Sequence, residues 1–248
     1  MFHDWGTLAA LMAVVAVASA CQNLTGFAFS LIFVGVVGAL ELMPIADVAN
    51  VAGMISLVNG AVYLRSHPFQ PRWDWMRPML ISSAMGVLAG LALLYWLSGE
   101  MVGVLRLLLG VTIMACAVVL LLQKRQRRTE SGAGAMWVAG GLSGLLGGLF
   151  STSGPPMVYH LYRQPLSAAM VRQCLMVMSL TGTVIRLGVL LPTGALTWSQ
   201  VGVTAMAFPV VAVVTWVLAK FPPPLSARTL QWLVGGLLMV AGASLLRM

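Results

Sequence analysis

Charge is what this sequence has least of. Of its 248 residues only 8% are charged, against roughly 25% in an ordinary soluble domain. A water-facing surface cannot be built from so few charges. Lipid as the main solvent leaves only helices or closed barrels. Barrel strands would alternate in polarity over roughly ten residues. The chain runs instead in apolar stretches of about twenty, each long enough to cross a ~30 Å hydrocarbon core. The fold class is therefore all-α, a polytopic integral membrane protein.

Other absences narrow the function. No cluster of His, Asp and Glu has the spacing of a catalytic metal site, and no nucleophile has a base beside it. No phosphate-binding loop supports direct use of ATP, and no carboxylate falls at mid-span to relay protons. Cys21, Cys116 and Cys174 lie in apolar stretches with no pair at metal-ligand spacing, so they read as packing residues. No cofactor is expected and no enzyme is indicated. Asp4 precedes the first apolar segment where a signal peptide would carry basic residues, so that segment reads as a retained helix. The net charge of +8 sits in a few loops, as topology demands, and does not point to nucleic acid.

The apolar segments fall at 5–22, 26–41, 46–64, 76–97, 101–123, 134–150, 156–163, 166–191, 198–219 and 226–246. Segments 26–41 and 156–163 are short, and each follows a polar break: Gln22-Asn23-Leu24-Thr25-Gly26, then Ser151-Thr152-Ser153-Gly154-Pro155-Pro156. Such breaks predict discontinuous helices or re-entrant hairpins.

The basic residues Arg65, Arg72, Arg77, Lys124, Arg125, Arg127, Arg128, Arg163, Arg172, Lys220 and Arg228 lie in four loops. Loops 41–47, 98–100 and 191–197 carry no Lys or Arg. Placing the basic loops in the cytoplasm makes 5–41 a hairpin from outside and 134–163 a hairpin from inside. Both termini then lie on the outer, periplasmic side of a bacterial inner membrane. Arg247 runs against that rule. Trp73, Trp75 and Trp137 would mark the inner interface, Trp96 and Trp198 the outer one.

Three landmarks recur along the chain. Gly26 pairs with Gly154 at a shift of 128, Ser56 with Ser179 at 123, and Leu105 and Gly110 with Leu230 and Gly235 at 125. Each half has three full crossings, an odd number, so the halves would insert upside-down to each other, a plan common among transporters. The domains are 1–123, a basic cytoplasmic linker 124–133, and 134–248.

Such a repeat places a binding site where the two breaks meet, near the midplane. Helix N-termini there would offer N–H groups and positive potential to an anion. The candidate site residues are Gln22, Asn23, Thr25, Asn50, Ser151, Thr152, Ser153, Gly154, Arg172, Gln173 and Ser179. Arg172, Ser179, Thr183 and Arg186 share one helix face. Arginine is expensive within a membrane and suits an oxyanion. Arg172 is taken as the ligand contact, and Arg186, near the far end of its helix, as a structural residue. His160 is read as a hydrogen-bonded interface residue, Asp47 as a helix cap, and Asn59 as needing an unidentified partner. Gly140, Gly144 and Gly148 form a close-packing ridge, and such faces leave a homodimer open.

The glycine-containing break early in each half, the run from Gly144 through Gly147, Gly148 and Ser151 to Pro156, and Val171-Arg172-Gln173 resemble the sulfite exporter TauE/SafE family of membrane permeases. The resemblance covers essentially the whole chain. It implies transport of sulfite, sulfonates or related organosulfur anions, with Arg172 and the polar breaks touching substrate. The first break lacks the family's usual triple glycine. The resulting expectation is a secondary transporter, an exporter of a small anion by alternating access at a central site. A membrane redox component or a non-transporting assembly subunit is the alternative.

Overall fold

The computed structural model describes residues 5–66, 73–122, 126, 128–152, 154–221, 223 and 226–247. Asp4, Arg72, Lys124, Arg125, Arg127 and the candidate site residue Ser153 lie outside the described residues. Among those described there are ten helices and no strand. They are α1 (Trp5–Thr25), α2 (Phe29–Ala39), α3 (Ile45–Ser66), α4 (Trp73–Glu100), α5 (Val102–Leu121), α6 (Ala133–Phe150), α7 (Gly154–Tyr162), α8 (Ala168–Leu190), α9 (Trp198–Lys220) and α10 (Ala227–Leu246).

Eight of these are long and apolar enough to cross a membrane. Six are the spans expected from the sequence. The other two, α1 and α6, are the long arms of the two breaks, each followed by a short arm, α2 or α7. The chain is a multi-pass membrane protein.

The breaks form where the backbone leaves right-handed space. Gly26 has φ +85° and Ala28 φ +82° between α1 and α2, and Ser151 has φ +56° and Gly154 φ +59° between α6 and α7. Gly26 is required there on two counts. Its φ disfavours an L side chain, and a Cβ would sit 2.4 Å from the backbone oxygen of Arg172. Pro155 and Pro156 belong to α7 rather than ending before it. In a helix's first turn their missing N–H groups are orphans in any case. Elsewhere local capping fixes the helix starts: Ser167 accepts from the Met170 N–H, Thr197 and Gln200 form a reciprocal capping box, and Ser226 accepts from the Thr229 N–H.

Helix α2 is apolar on all sides, which suits a helix enclosed by others. Phe29, Leu31, Ile32, Phe33, Val34 and Val37 are fully buried. The principal packing partners are α4 with α6, α5 with α10, α3 with α8 and α9, and α1 with α9. The short arms reach across, α2 to α10 and α7 to α5. The α4–α6 contact is the closest. A Cβ on Gly140, Gly144 or Gly148 would lie within 2.5 Å of the backbone oxygens of Met79, Ser83 or Val87, and one on Gly86 or Gly90 within 2.2 Å of those of Gly141 or Leu145. Small residues let two membrane helices approach backbone to backbone. This ridge is thus covered inside the chain by α4 and is not a face open to a second copy. Trp73, Trp96, Trp137 and Trp198 are all exposed on the surface, as interfacial aromatics are.

Candidate functional site

The two breaks carry different chemistry. At the first, the last turn of α1 delivers Gln22 and Asn23 into the protein interior. The Gln22 Nε2 donates to Ser56 Oγ at 2.7 Å and lies 3.6 Å from Met176 Sδ, while Gln22 Oε1 accepts from Asn59 Nδ2 at 2.8 Å. Thr215 Oγ1 donates to Asn59 Oδ1 at 2.6 Å and accepts from Asn23 Nδ2 at 2.9 Å. All five side chains are buried. They join α1, α3 and α9 in one neutral network, and they supply the partners that Asn59 needs. Thr25 serves the break itself, donating to the backbone oxygens of Cys21 and Phe27 and accepting from the Phe27 N–H.

At the second break the central group is a cation. Arg186 is fully buried. Its guanidinium donates to Asn50 Oδ1 at 2.9 Å and to the Gly147 and Gly148 carbonyls at the C-terminal end of α6. Its Nε has no partner among the described residues. No carboxylate pairs with it among the described residues. The carbonyls of a helix end carry partial negative charge, which offsets only part of an isolated cation's burial cost. Arg186 lies near the C-terminal end of α8, a position that by spacing alone suits a structural residue at the interface. Packing of α3 and α6 against that turn is what encloses it.

The two arms of the break, with α4 and α8, flank a narrow cavity of ≈ 10 Å³, room for about one water molecule; Arg186 does not line it but contacts the carbonyl of Gly147, which does. Hydroxyls line it from four elements: Ser83, Ser143, Ser151, Thr152, Ser179 and Thr183. Three are already committed. Ser151 donates to the Ala49 carbonyl at 2.7 Å, Ser143 Oγ accepts from the Met157 N–H at 3.1 Å, and Thr152 Oγ1 accepts from the Gly154 N–H at 3.4 Å. Ser83, Ser179 and Thr183 make no hydrogen bond among the described residues. Val87, Met157 and Met178 complete the wall on the apolar side.

The expected anion donors at the start of α7 are used internally. Pro155 and Pro156 have no N–H, and the Gly154 and Met157 N–H groups bond to Thr152 and Ser143. The side chains, not this helix terminus, are the free groups. Of the residues expected at the site, Ser151, Thr152 and Ser179 surround the cavity, Asn50 holds Arg186, and Gly154 opens α7. Gln22, Asn23 and Thr25 belong to the other break. Arg172 and Gln173 lie apart from the cavity, half-buried and with no hydrogen bond among the described residues. Arg172 stands seven residues before Ser179 on α8, about 10 Å along the axis.

Three further groups complete the picture. His160 is buried with its ring 3.2 Å from Gln164 Nε2, which also donates to Ser131 Oγ. Asp47, in the first turn of α3, accepts from Gln200 Nε2 at 2.8 Å and ties α3 to α9. Arg106, a cation inside an apolar segment that sequence pattern alone did not single out, pairs with Glu41 at 2.6 Å. Ser83 and Ser143 were also missed, because a hydroxyl inside a Gly- and Ala-rich helix has no sequence signal for what it faces.

Residues 11–245 match the family model described as sulfite exporter TauE/SafE. A protein of Cupriavidus necator named "Probable sulfite/organosulfonate exporter TauE" is 32% identical over 239 residues, covering 96% of this chain and 93% of that protein. No solved structure matches the chain.

Proposed function

The chain belongs to the sulfite exporter TauE/SafE family, a family of membrane transporters and not of enzymes, and from that membership we propose that it exports sulfite or a small organosulfonate across a bacterial inner membrane. The observation that carries the proposal is Arg186, a fully buried cation whose partners among the described residues are neutral oxygens, one of them the carbonyl of Gly147 in the lining of a hydroxyl-rich cavity. An oxyanion entering that cavity would give the guanidinium its missing counter-charge and the free hydroxyls of Ser83, Ser179 and Thr183 an acceptor. Arginine is suited to such planar, multi-oxygen recognition. Ser151, Thr152 and Asn50 shape the site. Arg172 receives the anion on the cytoplasmic side and passes it along α8.

The mechanism is alternating access between two inverted halves. Its support is the repeated helix order, long arm, short arm and three spans, and the matching of partners: α1 on α9 beside α6 on α4, α2 on α10 beside α7 on α5, α3 on α9 beside α8 on α4. The water-sized cavity is the closed intermediate of that cycle, and rocking one half against the other widens it to either side. With the cytoplasm negative, outward movement of one negative charge gains ~2.3 kcal/mol per 100 mV, so export needs no separate energy source. The basic loops hold the cytoplasmic side and both termini lie outside.

The test is efflux of radiolabelled sulfite from proteoliposomes under an imposed potential. Efflux should exceed that of protein-free vesicles, rise with an interior-negative potential, and fall at least ~30-fold in Arg186→Gln, the scale of losing a buried charged partner. Efflux no faster than from empty vesicles would overturn the reading.

A further inference from the structure

We infer that Val87, Gly147 and Gly182 set the size limit of the transported anion, an inference that rests on the cavity beside Arg186 being the substrate site. The glycines of this region fall into two groups by what a methyl group would meet. On Gly140, Gly144 and Gly148 it would strike the α4 backbone at 2.1–2.5 Å. Those positions are glycine because two helices touch there. On Gly147 it would meet only the Thr152 oxygen and Val87 Cγ2, each at 3.6 Å, and on Gly182 only Val87 Cγ2 at 3.7 Å. These are ordinary van der Waals distances, so helix packing does not require glycine at either position. Both glycines, and Val87, line the cavity.

The space a side chain would take at 147 or 182 is therefore cavity space. The two glycines lie on α6 and α8 and Val87 lies on α4, so the three come from separate elements and flank the same gap. Arg186 reaches the edge of this gap at Gly147: its Nη1 lies 3.5 Å from that carbonyl, and among the described residues its buried Nε has no partner. Val87, Met157 and Met178 are the large apolar side chains of the cavity lining. When the cavity widens in the proposed cycle, an anion with a charged oxyanion head and a short hydrocarbon tail would place its head toward Arg186 and its tail against Val87. Sulfite has no tail and needs only the head region. The gap between Val87 and the two glycines therefore discriminates between the two anions of the proposed function, sulfite and a small alkyl sulfonate.

The experiment measures efflux of sulfite and of ethanesulfonate from the same proteoliposome preparation, for wild type, Gly147→Ala, Gly182→Ala and Val87→Ala. The ratio of the two rates within one preparation is independent of how much protein folded. One methyl group in a fitted pocket changes discrimination by ~10- to 200-fold. The glycine substitutions should lower the ethanesulfonate-to-sulfite ratio by at least ~10-fold, and Val87→Ala should raise it. Ratios unchanged in all three variants, with sulfite efflux still dependent on Arg186, would overturn this inference and leave the site in place. Efflux of both anions that persists undiminished in Arg186→Gln would overturn the site, and this inference with it.

Discussion

The two helix breaks occupy corresponding places in the chain, yet they resolve their buried polarity in opposite ways. At the first, Gln22, Asn23, Ser56, Asn59 and Thr215 bond to one another and leave Asn23 Oδ1 as the one unpartnered atom of the network. At the second, Arg186 is buried with no counter-ion among the described residues, and three hydroxyls of the neighbouring cavity make no hydrogen bond among them. A buried polar group is normally paired. A network that pairs itself holds helices together. A cluster short of negative charge calls for a ligand that brings it. On the proposed function, the first break is an anchor and the second is the anion site.

Giving Arg186 a carboxylate of its own should erase that difference most sharply. In Asn50→Asp the new side chain stands 2.9 Å from the guanidinium and supplies the charge that the anion otherwise brings. Sulfite affinity should fall by ~30-fold or more, while the melting temperature rises or holds. Unchanged affinity, read by isothermal titration, would place the anion elsewhere.

Breaking the anchor should do the reverse. Asn59→Leu leaves Gln22 and Thr215 without their partner inside the protein. Thermal or denaturant unfolding should register a loss of about 1–3 kcal/mol, and sulfite affinity per folded molecule should not change. A large affinity loss here would make the neutral network part of the site. The smallest effect is expected at Asp47→Asn. It keeps a hydrogen-bond acceptor for Gln200 and removes only charge, so stability should change by about 0.5–1 kcal/mol and efflux should be unaltered.

Much of the fold was legible because hydropathy and breaks are local signals. The six expected spans and both short arms follow from apolar length and from Gly26, Gly154 and the proline pair. Pro155 and Pro156 are readable as residues that open a helix in its first turn; α7 begins at Gly154, two residues before the apolar segment at 156–163, because apolarity marks the span and not the helix start. The glycine ridge of α6 was readable as close packing, but its partner, α4, was not.

The site was legible only in part. Ser151, Thr152 and Ser179 stood out as hydroxyls at a break and on a shared helix face. Arg186 did not, since its place near the end of α8 suggested an outlet to the interface. Its burial depends on α3 and α6, which no sequence spacing reports. Arg172 stood out as a cation within an apolar segment; it is half-buried, with its backbone oxygen against Gly26. Ser83 and Thr215 became visible only when separate helices were brought together.

The most direct measurement is thermal stabilisation of the purified protein by sulfite, wild type against Arg186→Gln. At one hundred times its Kd a ligand that binds only the folded state adds about 2.7 kcal/mol. Wild type should show that gain and Arg186→Gln should show none, while the two proteins unfold with similar cooperativity in the absence of the anion. An equal gain in Arg186→Gln would contradict the assignment of Arg186 as the anion's counter-charge.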